Sequence, residues 1–512
     1  MDEFFYQSLL LSVAAVALLQ LVKLALKPRR RLPPGPWRLP VVGSMHHLVN
    51  VLPPPRAAGP GGRARPAPDA AARADAAGGG HVQGDGARRA QDARHQLRHP
   101  AQAPGRGDRR LRVGGHPLRA LRRLLAQAPP ALRRRDPQPQ ARPLVPPHPD
   151  IREDEVMLKV EEIRAAGPGT PVNLSVMFHS ITNSVVSRAA FGKKRKNAAE
   201  FLAATKAVVG LSSGFNIPDL FPTWTAVLAK LTGMTRSLKE IHRTVDTILE
   251  EIIEERKAAR ADKIRSGVPA EDVDENLVDV LIGLQEKGGF GFQLTNSIIK
   301  AIILDMFAGG TGTSGSAMEW GMSELMRNPA VMKKLQGQIR EAFRGKAVVT
   351  EDDLQASNLQ YMKLVIKEAL RLHPPAPLLV PRESIEECEL DGYTIPAKSR
   401  VIINAWAIGR DPKYWEDPDE FKPERFEDGS RDFTGGSYEF LPFGSGRRMC
   451  PGFNYGLASM ELAFVRLLYH FDWSLPEGVK EVDMAEAPGL GVRRRTPLVL
   501  CATPYVPVAG GA

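Results

Sequence analysis

A hundred consecutive residues of this chain, 51 to 150, are written with nine amino-acid types: Val, Leu, Pro, Arg, Ala, Gly, Asp, His and Gln. The stretch holds no aromatic residue and no Ile, Met, Lys, Ser, Thr or Asn. A segment so composed has little with which to build an apolar core, and disorder is its default state. The window also distorts the charge. The chain has a formal net charge of +11 at pH 7, but residues 56 to 150 alone hold 19 Arg and 7 Asp, with no Lys and no Glu. The remaining residues are therefore almost neutral. A basic balance of this size suggests a nucleic acid or an anionic surface as partner. A neutral body with one Arg-rich insert does not, and no nucleic-acid partner is expected.

All nine types can be encoded by codons that begin with C or G. In a gene whose third codon positions are nearly all G or C, a frame shift that turns third positions into first ones yields this vocabulary. The window reads as an out-of-frame translation that starts between Asn50 and Arg56 and ends near Asp150, where Ile151 restores ordinary composition. The competing reading is a genuine Arg-rich disordered insert that binds RNA or acidic lipid.

Before the window, Phe4 to Val22 is predominantly apolar and uncharged over 19 residues, close to the ~20 that cross a bilayer core. Asp2 and Glu3 precede it, and Lys23, Lys27, Arg29, Arg30 and Arg31 follow, so the positive-inside rule leaves the body cytosolic. A cleaved signal peptide has its positive charges first and a small-residue cleavage site after, and neither is present. Residues 1–27 are thus expected to be a membrane anchor. Residues 28–50 form a basic and proline-rich hinge, stiffened by Pro33-Pro34-Gly35-Pro36, and the start of the folded body. Three cysteines, Cys388, Cys450 and Cys501, are too few for a disulfide framework and point to a reducing compartment.

From Ile151 to the end the pattern is that of one large domain, mainly α with small β regions. Helical spacing runs through Arg152 to Ala165 and through Ser237 to Ala261, with Ile241, Val245, Ile248, Leu249, Ile252 and Ile253 on one face. Thr350-Glu-Asp-Asp353 reads as a helix start and Asn328-Pro329 as a stop. Strand candidates are Leu378 to Val380, Glu389 to Ile395 with Asp391-Gly392 as a hairpin turn, and Val401 to Asn404. No βαβ alternation suggests a nucleotide-binding sheet.

The strongest chemical signal is Phe443-Gly-Ser-Gly446-Arg-Arg448-Met-Cys450-Pro-Gly452. Glycines on both sides of the cysteine let the backbone approach a flat ligand and aim amides at the sulfur, and Arg448 brings a cation two residues before it. A single Cys with no Cys or His nearby argues against zinc or iron–sulfur, and an axial haem thiolate fits best. The plain alternative is an inert Cys in a Gly-rich loop. These residues resemble the haem-binding signature F-x-x-G-x-R-x-C-x-G of the cytochrome P-450 family, matched by Phe443, Gly446, Arg448, Cys450 and Gly452. With Pro33-Pro-Gly-Pro36 and Pro423-Glu-Arg425-Phe426, the likeness is to the plant microsomal A-type monooxygenases, and it covers residues 1–50 and 151–512.

Other segments gain meaning from that resemblance. Glu368-Ala-Leu-Arg371 places a carboxylate and a guanidinium on one helix face, ordinarily a solvated pair of little value. The resemblance implies that Glu368, Arg371 and Arg425 form a buried structural triad and that Arg382 meets a haem propionate. Gly310-Thr-Gly312-Thr-Ser-Gly315 fits G-x-G-x-x-G, but it lies inside the helical stretch Ile298 to Met326 with no preceding strand, which excludes dinucleotide binding. Consecutive glycines loosen a helix and leave room for dioxygen and water, and the match is to the family's oxygen-activation helix. Thr313 stands at the Thr position there. Gly312 replaces the acid that relays protons, which leaves Thr311, Ser314 and ordered water as carriers. Close packing of a helix through small residues is the bland alternative. The family's Trp-x-x-x-Arg propionate helix is missing, because the window has no Trp.

The resemblance further implies haem, O2 as co-substrate, electrons from NADPH through a reductase docked on the cysteine side, a lipophilic substrate and a single-pass place in the endoplasmic reticulum membrane. Substrate contacts are expected near Phe215, Ala301 to Ala308, Ala376 to Val380 and Leu490, mostly apolar, so a terpenoid suits. A reductase-independent hydroperoxide isomerase or dehydratase is a second possibility, and an inactive product of the frame-shifted gene a third. Arg493-Arg-Arg495 reads as a solvated turn, His46-His47 as surface, and Cys388 and Cys501 as unpaired structural cysteines.

Overall fold

The computed structural model describes most of residues 149–505, together with Pro33 and the pair 99–100. The expected anchor at residues 4–22, His46-His47, Phe215 and nearly all of the nine-letter window lie outside the described residues. No helix among the described residues is long and apolar enough to cross a membrane. The chain divides into two compact units, one containing residues 382–401 and the other residues 100–381 with 402–512.

The larger unit is helical. Along the chain run α1 (Pro149–Ala166), α2 (Leu174–Phe191), α3 (Ala198–Leu211), α4 (Thr225–Leu231), α5 (Met234–Arg265), α6 (Leu277–Lys287), α7 (Asn296–Gly310), α8 (Gly312–Arg327), α9 (Pro329–Ala342), α10 (Glu351–Ala356), α11 (Gln360–Leu372), α12 (Ala405–Ile408) and α13 (Phe453–His470). Their ends follow local chemistry. Asn173 accepts a hydrogen bond from the Val176 amide at the start of α2, and Thr350 and Asp353 exchange the two bonds of a capping box at the start of α10. Asn328 ends α8, and Pro329 opens α9 at the position where a missing amide costs nothing.

Two apolar clusters hold the unit. One gathers α1, α2, α8, α9, α11 and α13 around residues such as Phe178, Met318, Met322, Val365, Leu462 and Phe464. The helices approach closely there: a Cβ at Gly321 of α8 would lie 2.6 Å from the Phe464 ring. The second cluster takes the end of α2 with α3, α5, α6 and α7, through Phe191, Phe201, Ile248, Ile252, Leu281, Ile299, Ile303 and Phe307. The apolar face read on α5 is the one buried in it, Val245, Ile248, Leu249, Ile252 and Ile253 inside and Ile241 at the edge.

Strands are short. In the smaller unit, β2 (Arg382–Glu383) pairs antiparallel with β5 (Arg400–Val401), and β3 (Cys388–Leu390) with β4 (Tyr393–Ile395). Asp391 and Gly392 join the latter pair at φ 51° and 77°, both left-handed, as a two-residue hairpin turn requires. In the larger unit, β9 (Val499–Pro504) lies between β1 (Pro171–Asn173) and β6 (Phe471–Ser474), and β7 (Glu486–Ala487) pairs with β8 (Arg493–Arg494).

Two strand expectations are corrected. Leu378 to Val380 is a turn, with Leu379 buried at φ 50° and its amide donating to the Ala376 carbonyl at 3.0 Å. Of Val401 to Asn404 only Val401 is in a strand, because the Asn404 side chain turns the backbone into α12 by accepting from the Ala407 amide at 3.0 Å.

Candidate active site

The cysteine loop is a tight cradle. The Cys450 amide donates to the Phe443 carbonyl at 2.9 Å and the Met449 amide to Gly446 at 3.1 Å, closing a 3-10 turn over Gly446–Arg448. Gly444 and Gly446 sit at φ 68° and 66°, which L side chains rarely adopt. The Phe443 ring meets Phe433 edge-on at 5.1 Å, anchoring the entry to the turn. Cys450 itself is unpaired and exposed. Surrounding protein desolvates its thiol enough to raise the pKa above the ordinary value, against a hydrogen bond from the Gly452 amide that favours the thiolate. A lone accessible sulfur with an amide aimed at it suits a thiolate ligand for haem iron, whose charge would stabilise the deprotonated form that desolvation disfavours.

The glycine-rich helix breaks. The apolar stretch expected as one helix from Ile298 to Met326 divides at Thr311 into α7 and α8. The Thr311 hydroxyl donates to Phe307 at 2.8 Å, and its carbonyl accepts the hydroxyl of Thr182 in α2, also at 2.8 Å. A side chain thus takes a carbonyl that the helix ladder would otherwise use. Thr313 is exposed, and its hydroxyl donates to the Gly309 carbonyl. Thr311 and Thr313 therefore place their hydrogens on the backbone and keep their oxygens as acceptors. Ser314 faces another way: a Cβ at Gly456 would be 3.4 Å from its Oγ. The broken helix accordingly lies against the first turn of α13, three residues after Cys450.

Gly312 and Gly315 touch groups that sequence reasoning missed. A Cβ at Gly312 would stand 3.5 Å from Nη2 of Arg493, and one at Gly315 only 2.5 Å from Nδ1 of His179. Burial, then the charges of Arg493 and Lys206, pull the His179 pKa down to about 4. Asp305 lies inside the stretch read as apolar and substrate-facing, its Oδ2 buried without a hydrogen-bond partner, and burial alone pushes its pKa up to about 7.

The carboxylate of Glu368 and two guanidinium groups come together in the interior. Arg371 donates to both Glu368 oxygens at 2.7 and 2.8 Å, and Arg425 Nε and the Lys422 amide add bonds of 2.9 and 2.8 Å. Arg371 also donates to the carbonyls of Gly409, Pro418 and Glu420 at 2.6, 2.7 and 3.1 Å. Both Glu368 and Arg371 have side chains fully excluded from water, so the i, i+3 pair is an interior clamp and not a surface ornament. Its electrostatic cost is met by complete hydrogen bonding.

Arg382 belongs to the smaller unit, on β2 opposite Val401. Arg493 to Arg495 is not a solvated turn. Strand pairing sets Arg494 opposite Glu486, and its buried side chain donates to Ser323 Oγ at 3.0 Å and lies 3.8 Å from Glu319. Arg493 and Arg495 stay exposed. Cys388 and Cys501 are buried and unpaired.

The family profile described as Cytochrome P-450 matches residues 151–502. The chain is 41% identical to premnaspirodiene oxygenase of Hyoscyamus muticus over an alignment 532 positions long that covers 99% of each chain. It is 47% identical to 5-epiaristolochene 1,3-dihydroxylase of Nicotiana tabacum over 361 residues, 70% of each. A zebra fish cytochrome P-450 structure with progesterone superposes with a TM-score of 0.58 at 22% identity, covering 76% of this chain and 82% of that one. That likeness gives the fold. The accessible thiol, the broken helix beside it and these similarities agree: the chain belongs to the cytochrome P-450 family and is a haem-thiolate monooxygenase by type.

Proposed function

We propose that this protein inserts one oxygen atom from O2 into a lipophilic terpenoid hydrocarbon, at the endoplasmic reticulum membrane, with electrons from NADPH delivered by a membrane-bound reductase. The observation that carries the reading is the accessible Cys450 loop set against the broken helix Asn296–Gly310 and Gly312–Arg327. The relatives named for premnaspirodiene and 5-epiaristolochene oxidation support an olefin of that kind.

Each part of the chain has its task. Cys450 would hold the haem iron, with Arg448 as a cation beside the sulfur and Phe443, Gly446 and Gly452 shaping the loop; that Arg382 meets a propionate rests on the family resemblance alone. Bound haem supplies oxygen activation. Glu368, Arg371 and Arg425 lock the interior that carries the loop. Thr313 offers an acceptor oxygen where the break admits water, and Thr311 and Ser314 flank it.

In this reading residues 51 to 150 come from another frame, and the family match beginning at residue 151 supports that boundary. The chain would then lack its propionate helix and the loop over the substrate. Retranslating the gene in its other frames should yield an amphipathic, aromatic-containing segment with a Trp; if no frame does, the proposal of a shift is wrong. Gly312 favours a second reading, rearrangement of a hydroperoxide without reductase. Turnover of a terpenoid olefin that requires NADPH and reductase supports monooxygenation. Turnover of a hydroperoxide alone sinks it.

A further inference from the structure

The break between α7 and α8 carries a charge. Arg493 reaches it from β8, far along the chain, and places Nη2 3.5 Å from where a Cβ of residue 312 would be. The neighbouring Arg494 is buried against Ser323 and Glu319. The Arg493 guanidinium, by contrast, is exposed, makes no hydrogen bond or close ion pair among the described residues, and acts on Glu319 only through its field. Residue 312 is where the resemblance puts an acid and this chain has glycine. The acid is gone, and a cation lies over its place.

We propose that Arg493 is a positioning residue of the break, a fixed positive charge across Gly312 that orients the polar groups beside Thr313. A guanidinium keeps its proton throughout the physiological range, so it cannot itself relay one. It acts by field: lone pairs of water and of the Thr313 oxygen turn toward it, and a water molecule beside it releases a proton more readily. The same field disfavours a second cation. His179, packed on Gly315 one helical turn further on, has its pKa lowered first by burial and then by this charge and that of Lys206. Space supports the assignment as well as charge, since no Cβ at 312 holds the guanidinium away. The function served rests on the monooxygenase reading, whereas the placement of charge can be tested without turnover.

The test is a titration of His179 by NMR in the full-length chain, its signal assigned with His179→Gln. In Arg493→Gln the midpoint is expected to rise from about 4 by about one unit. Arg493→Lys should keep it near the starting value, and added salt should shrink the difference because Arg493 is exposed. Installing the acid gives a second readout. Gly312→Asp should be tolerated about two- to five-fold better in the folding equilibrium with Arg493 present than in Arg493→Gln. An unmoved His179 in Arg493→Gln overturns the proposal, whatever the fate of Gly312→Asp. Equal cost of Gly312→Asp in both backgrounds overturns it too.

Discussion

His373 lies flat on Trp320, their ring centroids 4.3 Å apart and their planes 1° from parallel. The imidazole Nε2 is 2.7 Å from Glu324, and Trp320 donates to the Val492 carbonyl at 3.1 Å. Val492 in turn donates its amide to Pro375 at 3.1 Å. One stack therefore fastens the end of α11, the middle of α8 and the strand that carries Arg493. Burial holds the His373 pKa below its ordinary value, against the pull of the Glu324 carboxylate. Truncation in His373→Ala is expected to cost about 2–4 kcal/mol, from lost stacking and the loss of one hydrogen bond to the buried Glu324, which keeps Asn328 and Arg327 as partners. Urea unfolding of the full chain measures it, and a loss near zero would remove the stack from the stabilising elements.

Glu368 binds two guanidinium groups, so Glu368→Ala leaves Arg371 buried and unpaired. A loss of about 3–5 kcal/mol is expected, visible as lower haem content and an earlier unfolding midpoint. Gly409 tests the same clamp sterically, because an added Cβ would fall 2.9 Å from the Arg371 carbonyl oxygen. Gly409→Ala should cost about 1–3 kcal/mol. If both variants unfold like the parent, the clamp carries no stability.

Cys450→Ser should abolish the haem-thiolate absorption band while moving the unfolding of the haem-free chain little, since the residue is exposed although neighbouring protein desolvates its sulfur. Desolvation keeps the thiol protonated without the metal. Alkylation of Cys450 in the haem-free chain is therefore expected to be slower at pH 7 than for an ordinary exposed thiol, and to accelerate as pH rises past 9. Fast labelling at pH 7 would contradict that environment.

Buried titratable groups set opposite pH trends. The folded pKa of His179 and that of His470 are each pulled from 6.5 down to about 4, burial first and neighbouring cations second. The folded state binds these protons less well than the unfolded state. Their contribution is whole above pH 6.5 and is lost as the pH falls toward 4. Asp305 runs the other way: its folded pKa, about 7 against 3.8, makes its cost grow as the pH rises through that interval and reach its full size above 7. Asp305→Asn should accordingly stabilise the chain at pH 8 and make no difference below pH 4. A gain that is equal at both values would show that titration is not the cause.

What could be read in advance was local in sequence. The Cys450 loop is contiguous, so spacing alone shows it; Glu368 and Arg371 share one turn, but spacing shows only an ordinarily solvated pair, and its burial was implied by resemblance. Arg425 joined them only through resemblance. His179, Thr182 and Arg493 meet the break from α2 and β8, and nothing in their own neighbourhoods marks that meeting. Leu378 to Val380 failed as a strand because apolarity there serves burial of Leu379 in a left-handed turn. Arg494 failed as a surface residue because Ser323 and Glu319 of α8 receive it.

The break at Thr311 is also the border between two separately packed bodies of apolar side chains. Ile299, Ile302, Ile303 and Phe307 before it belong to one, and Ala317, Met318, Met322 and Leu325 after it to the other. A continuous helix would weld these bodies into a rigid block. The ladder is interrupted there instead, and the halves are held by the Thr182 hydroxyl on Thr311, by the Thr311 amide and hydroxyl on Phe307 and by the Thr313 hydroxyl on Gly309. Thr313 sits beside that junction. The residue proposed to serve oxygen activation thus stands where the apolar packing passes from one body to the other, apart from the clamp at Glu368.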